Sequence, residues 1–262
     1  MSYAGPFRLI LFCLFLGTIC IGSQSLAETI HEAVTDTNRT PADRERDLRS
    51  HPEEVLEFAG LKPGMTVLDL FGGAGYYSEI MGHVVGPKGK VYLHNNAAYL
   101  SFVRKSLDER FARGEMINVV RHDAEIGELG IPDESVDLVL MAMTYHDLYY
   151  KTEGWDLDPV SFFGEIYNLL KPGGVLLVID HAALPDTGST QAQLLHRIDE
   201  KFAREDIESR GFKYVGSLNV LRNPADDRTR SVFDAEIRGH TDRFIHKYIK
   251  IPQAKAEKPL SE

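Results

Sequence analysis

The run Val67-Leu68-Asp69-Leu70-Phe71-Gly72-Gly73-Ala74-Gly75-Tyr76-Tyr77-Ser78 decides the fold. Thr66–Leu70 reads as a short strand, the glycines as a tight turn, and Tyr76–Val85 as a helix. Glycine in such a turn lets the backbone approach a ligand closely at the start of the helix. Aligning Gly73 and Gly75 with the first two glycines of the dinucleotide pattern G-x-G-x-x-G puts Ser78 third. It follows two bulky tyrosines, where close helix–strand packing needs glycine. The Asp69 carboxylate is badly placed beside a pyrophosphate and well placed beside a cationic ligand. The turn therefore argues against a nicotinamide dinucleotide.

Outward from this turn, strand-like and helix-period runs alternate. Lys90–Leu93 precedes Ala98–Arg113, and Met116–Val120 follows. Val136–Met143 precedes Pro159–Leu170, and Val175–Ile179 precedes Gln191–Arg210. Phe212–Leu221 and Phe244–Ile249 read as a closing pair with no full-length helix between them. Alternation of this kind implies parallel pairing through right-handed crossovers. The expected fold is α/β: a single doubly wound, mostly parallel seven-stranded sheet with an antiparallel last strand, preceded by a signal peptide. Glu28–Arg39 reads as a polar, irregular arm, followed by a charged helix from Pro41 to Leu48 and a short one from Pro52 to Ala59. The tail after Ile251 is polar, and 251–262 is expected to be flexible.

The chain has 262 residues and a formal charge of −10. That argues against a partner held by phosphate neutralisation, and no nucleic acid is expected. Its two cysteines, Cys13 and Cys20, exclude a disulfide-stapled domain and a cysteine-based zinc site. Both fall in the stretch expected to be removed. Leu9–Ile21 is an apolar run after a basic, acid-free start, and Ser25 and Ala27 supply the small residues of a cleavage site. Residues 1–27 thus read as a signal peptide, giving a periplasmic or secreted chain with no membrane span once mature. The alternative is an uncleaved N-terminal anchor.

Three further motifs bear on function. Asn95 ends the second strand, where an adenosine-binding α/β sheet keeps a group for the ribose hydroxyls. Asp123 and Ala124 end the third strand, where a carboxylate can accept an exocyclic amine. Ile131–Val139 and Leu169–Gly174 frame the fourth and fifth strands. At this point the sequence resembles the class I S-adenosylmethionine-dependent methyltransferases, from roughly Val55 to Lys250, so that 51–250 is the expected methyltransferase domain and 28–50 its arm. The resemblance implies S-adenosyl-L-methionine as cofactor. It implies Asp69, Gly73 and Gly75 for the methionine part, Asn95 for the ribose, and Asp123 with Ala124 for the adenine. Phe71 stands where the family usually has its first glycine, and Asn95 where it usually has an acid. Tyr145–Tyr149, Ile179–Ala182, Leu195–Glu200, Leu221–Asp227 and Ser231–Asp234 resemble a narrower group of exported methyltransferases of unknown substrate.

Methyl transfer from a sulfonium depends mainly on alignment, with a base needed only when the acceptor must lose a proton. His146 and His181 follow strands four and five at the sheet end where ligands bind, and are the expected proton acceptors, with Asp147 beside them. His146 is favoured. Asp180 is set aside as a partner of His181, because neighbours on a strand face opposite ways. His196 and Glu200, one helical turn apart, read as a surface pair. The acceptor is expected to be a small or medium molecule. The competing readings are a non-catalytic adenosyl-ligand binding protein and a metal-dependent hydrolase or lyase using His146, Asp147 and His181. Because no H-x-x-x-H pair occurs, no metal ligand is expected.

Overall fold

The computed structural model describes Met1 and residues 26–252. Most of the expected signal peptide, and the expected tail beyond Pro252, lie outside the described residues. Three helices come first: α1 (Leu26–Thr35), α2 (Pro41–Ser50) and α3 (Pro52–Ala59). The irregular arm expected over Glu28–Arg39 is corrected by α1. Leu26, Ile30, Ala33 and Val34 share one helical face and join the core beside α3 and a later helix, so burial outweighs a polar composition. Thr40 caps α2 by accepting from the Asp43 N–H, and Pro41 and Pro52 open α2 and α3.

The sheet comprises β1 (Thr66–Leu70), β2 (Lys90–Asn95), β3 (Val119–Asp123), β4 (Val136–Ala142), β5 (Leu170–His181), β6 (Phe212–Leu218) and β7 (Arg243–Lys250). Their order is β3-β2-β1-β4-β5-β7-β6. All neighbours pair in parallel except β7, which runs against both β5 and β6. The seven-stranded, mostly parallel sheet with a reversed last strand is as expected. The third strand lies three residues later than expected, on Val119–Asp123. Its polar end is tolerated because β3 is an edge strand with a single neighbour.

Between the strands lie α4 (Tyr76–Val85), α5 (Ala97–Ala112), α6 (Pro159–Leu169), α7 (Ala192–Leu195) and α8 (Glu200–Ser209). The continuous helix expected over Gln191–Arg210 is broken, because His196 takes a left-handed φ of 52° and Asp199 then caps α8. Alternate strand residues feed two cores. Val67, Leu138, Leu177 and Ile179 pack under α1, α3 and α4. Leu68, Val139, Leu176 and Val178 pack under α6 and α8. Strand order reverses beside β1, between β2 and β4, which opens a crevice beyond the carboxyl ends of these strands. Among the described residues no helix is long and apolar enough to cross a membrane.

The glycine turn is built tightly into this frame. Gly75, at the start of α4, has φ 85°, and a Cβ there would stand 2.5 Å from Leu93 Cδ1. Gly75→Ala therefore meets both backbone strain and overlap. It should cost at least about 2 kcal/mol in urea denaturation. A wild-type midpoint would show that the turn relaxes freely.

Candidate functional site

Two lobes of one cavity lie over the carboxyl ends of β4 and β5 and share Met143, His181, Val232, Phe233 and Arg238. The first, about 720 Å³, is bordered by Arg46 and Arg49 from α2 and by Arg243 and Arg238. None of the four arginines forms an ion pair with a carboxylate among the described residues. Arg46 lies over the Tyr76 ring at 3.9 Å. Arg243 is only 7% exposed and donates to the Arg49 carbonyl at 2.5 Å, while its Nε has no partner among the described residues. Burial, with Arg46 and Arg49 close by, lowers the Arg243 pKa. An anion entering here would relieve that repulsion.

The sequence of α2 explains how its arginines reach the cavity. Asp43 and Asp47 occupy a different side of the helix. Asp43 receives two hydrogen bonds from Arg110, both 2.9 Å. Asp47 is bound by Arg39 at 2.7 and 2.9 Å and by the Tyr76 hydroxyl at 2.6 Å. These ties hold α2 over α4 and α5, and the i, i+3 spacing then brings Arg46 and Arg49 to one face.

The second lobe, about 1100 Å³, is walled by Tyr99, Phe102, Tyr150, Trp155 and Phe233, with His146, Asp147 and His196 among them. Its floor explains Phe71. In the left-handed region at φ 53°, Phe71 stacks on Tyr99 with centroids 4.8 Å apart and packs against Trp155 at 5.2 Å. The Phe71 N–H donates to His94 Nδ1 at 3.3 Å, and His94 Nε2 is 2.9 Å from the Ala124 carbonyl. Burial pushes the His94 pKa down to about 4, leaving a neutral ring that can serve both.

His146 opens a short 3₁₀ turn after β4 and sits on a fully buried carboxylate. Asp180 Oδ2 accepts the His146 N–H at 2.7 Å, and Oδ1 lies 2.8 Å from His146 Nδ1. Oδ1 also accepts the His181 N–H at 2.7 Å. Burial alone would lower the His146 pKa, but Asp180 and then Asp147 outweigh it and raise it to about 10. For Asp147 burial pulls upward, yet His146, His196 and Tyr99 hold it well below the usual carboxylate range. His181 is the opposite case. Burial first, then the positive charges of His146, Arg243 and Arg197, keep it far below normal and therefore neutral. Its Nδ1 is 2.7 Å from the Thr241 hydroxyl.

Of the residues expected to act, His146, Asp147 and His181 come together on the cavity. The six expected for the cofactor also gather at the sheet's carboxyl end, but none borders the cavity. Asp69 accepts from the Ser78 hydroxyl at 2.6 Å, and burial raises its pKa to about 6 against that bond. Asn95 accepts from the Gly73 N–H at 3.0 Å and donates to the Gly73 carbonyl at 2.9 Å. Gly75 starts α4, and the Ala124 N–H donates to the Asn95 carbonyl. Asp123 is turned to Arg121, with contacts of 2.8 and 3.1 Å. The expected His196–Glu200 pair does not form. His196 faces the cavity, and Glu200 binds Arg222 and His246.

Asp180, set aside from sequence as a partner of the His181 ring, instead serves His146; Tyr99 and the four arginines are not singled out by sequence, although the spacing of Arg46 and Arg49 on a charged helix is a visible signal. S-adenosylmethionine carries a carboxylate at one end and an adenine at the other, joined through a sulfonium. The donor set fits it: four arginines, Arg243 among them with an Nε unpartnered among the described residues, in one lobe, and aromatic faces with the Asp147 carboxylate in the other.

Comparison with known proteins agrees with this architecture. A family described as "Methyltransferase domain" matches residues 61–221. The ubiquinone/menaquinone biosynthesis C-methyltransferase UbiE of Shewanella piezotolerans is 33% identical over 127 residues, covering 48% of this chain and 46% of that protein. The corresponding protein of Pseudomonas paraeruginosa is 32% identical over the same length and covers 48% of this chain and 45% of that protein. The chain spans just under half the length of these curated relatives. A S-adenosylmethionine-dependent methyltransferase from Aquifex aeolicus superposes with a TM-score of 0.60 at 25% identity, covering 86% of this chain and 98% of that one. The arsenic(III) methyltransferase of Chlamydomonas reinhardtii, at 20% identity and a TM-score of 0.51, covers 87% of this chain and 74% of that one and shares the fold.

Asp180→Ala leaves two backbone N–H groups and the His146 ring without their acceptor. It should cost about 3–5 kcal/mol in urea denaturation. Asp123→Ala, which breaks a solvent-exposed pair, should cost less than about 1 kcal/mol. Equal costs would mean that Asp180 is not the tie between β4 and β5.

Proposed function

The chain belongs to the methyltransferase-domain family, and on that premise we propose an S-adenosylmethionine-dependent methyltransferase acting on a small or medium acceptor. The observation that carries the reading is the two-lobed cavity, basic at one end and aromatic at the other, over the carboxyl ends of the strands. Bound there, the cofactor supplies an already activated methyl group. The chain's own part is to bind, align and, where the acceptor carries a proton, to take it. Arg46 and Arg49 would hold the cofactor's carboxylate, and Tyr99, Phe102 and Trp155 would flank its adenosyl part. Their placement at opposite ends would fix the ligand's direction across the cavity.

His181 is the better base. It is neutral, it borders both lobes, and in the tautomer whose Nδ1–H donates to Thr241, Nε2 is left as acceptor. His146 was favoured by sequence position, but its place between Asp180 and Asp147 keeps it protonated at neutral pH. It is therefore the poorer proton acceptor of the two. Arg238 and Arg243 leave room at the basic end for an acceptor that is itself anionic.

Calorimetry with two product-like ligands tests the orientation. Arg49→Ala and Arg46→Ala should each weaken S-adenosylhomocysteine about tenfold or more, the scale of a lost charged hydrogen bond. Binding of 5′-methylthioadenosine, which lacks the carboxylate, should stay within about threefold. Equal losses for both ligands would remove the assignment of the arginine lobe. His181→Ala should lower kcat with S-adenosylhomocysteine affinity retained, and binding without any turnover in extracts would favour an adenosyl-ligand binding protein.

The proposal includes export, on the strength of the apolar run Leu9–Ile21 and the small residues Ser25 and Ala27. N-terminal sequencing of the native protein should start near Glu28. Retention of residues 1–27 in a membrane fraction would replace the signal peptide with an anchor.

A further inference from the structure

Three ligand atoms converge on one point in the wall of the aromatic lobe. His146 Nε2 lies 3.2 Å from Asp147 Oδ1 and 3.3 Å from His196 Nδ1, and His196 Nδ1 lies 3.7 Å from Asp147 Oδ1. Two ligands bound to zinc at about 2.0–2.1 Å with a tetrahedral angle stand about 3.3–3.4 Å apart. The three separations bracket that value. Hydrogen bonding fills such a triangle poorly. A ring nitrogen carries at most one hydrogen, which points at one of the other two atoms, whereas a cation at the centre engages all three.

Each converging atom is also held from behind. Asp180 Oδ1 lies 2.8 Å from His146 Nδ1, which turns Nε2 outward. The Tyr99 hydroxyl donates to Asp147 Oδ2 at 2.6 Å and leaves Oδ1 for the centre. The His196 ring is flanked by Tyr150 and Phe233, each with its centroid 4.8 Å away, and its backbone is held in the left-handed region. A carboxylate behind a ligating histidine is the arrangement that fixes its tautomer and direction in metal centres. A non-glycine residue strained into place at a cavity wall is where function is expected to show. All three side chains border the cavity, so an ion held among them would lie at its wall.

We propose that His146, Asp147 and His196 form a binding site for one zinc-class divalent transition ion, open toward the cavity. Two imidazoles and one carboxylate suit such ions, and three protein ligands with an open fourth position are the pattern of catalytic zinc. The open position would take an oxygen, nitrogen or sulfur atom of the acceptor, a Lewis-acid role that eases loss of the acceptor's proton. That role, though not the site, rests on the methyltransferase reading. It differs from the metal set considered from sequence, because His181 lies outside the triangle and His196 completes it.

The test uses the full chain prepared without an affinity tag, stripped with a chelator and dialysed. Calorimetric titration with zinc sulfate should give about one equivalent, and cobalt(II) should give the intense visible absorption of a tetrahedral complex. His196→Ala and Asp147→Asn should each lose more than about 100-fold in zinc affinity, beyond the roughly 10–100-fold cost of losing an outer-shell partner. His196→Cys, which keeps a ligand, should retain the cobalt spectrum. Circular dichroism and S-adenosylhomocysteine binding are read on every sample. No zinc binding by the folded, unmutated chain overturns the site, as does one equivalent that neither variant disturbs. Zinc binding with S-adenosylhomocysteine binding absent supports the site and removes the cofactor reading instead.

Discussion

The Asp180 carboxylate is fully buried at the end of β5 and accepts from two backbone N–H groups as well as lying against the His146 ring. A charge without water must be matched by fixed donors, and here the donors are the β4 turn and the next residue of β5 itself. The constraint runs both ways. The carboxylate keeps its hydrogen-bond partners only if the turn after β4 folds back over β5, and the turn can do so only if its N–H finds that oxygen. His146 and Asp147 are thereby placed on the cavity wall, and Met143 is left at φ 62° at the seam between the lobes. Strand alternation then sends His181 away from Asp180. One residue anchors the wall, and the next borders both lobes.

The cover of the cavity depends on ionic ties made at a distance from it. Arg197, with no exposed surface, donates twice to Asp226 at 2.8 and 3.0 Å and also reaches the carbonyls of Ala182 and Arg230. This fixes the long segment between β6 and β7, which carries Val232, Phe233 and Arg238 over the sheet end. On the opposite side Arg39 and Arg110 bind the acids of α2. The result separates two kinds of arginine. Those with carboxylate partners set the frame, while Arg46, Arg49, Arg238 and Arg243 have no such partner among the described residues and border the first lobe. A buried pair that lost one member would leave an uncompensated charge, which keeps the frame in register.

The sheet was legible in the sequence because its central strands β4 and β5 carry continuous apolar runs and its turns carry glycine and proline at the right intervals. Strands β1 and β4 lie where periodicity put them to within a residue, and β7 nearly so. The slips fall where polarity and position disagree. β3 ends in Arg121, His122 and Asp123 because an edge strand needs only one partner. α1 was missed because its apolar face is four residues in a polar stretch, and α7 was read through into α8 because nothing local announces the left-handed turn at His196. At the site, His146, Asp147 and His181 were found because they follow strands. Their electrostatic roles were not, since these depend on Asp180 and on Arg243, brought alongside His181 by the β5–β7 register.

Phe71 and Asn95 departed from the pattern of the resembling family, and together they have one physical consequence. Asn95 spends both ends of its amide on Gly73, and His94 bridges Phe71 to Ala124, so the Phe71 and Gly73 N–H groups and the Gly73 carbonyl have partners within the protein. The Phe71 ring, where a glycine would leave open space, becomes the floor beneath Tyr99 and Trp155. In the proposed reading, ligand recognition lies outward of the turn, on side chains of α2, α5 and the loops after β4 and β5. Such side chains supply charge and aromatic faces that a glycine turn cannot. They also let an acidic chain hold a basic lobe, because Arg46, Arg49, Arg238 and Arg243 border one space.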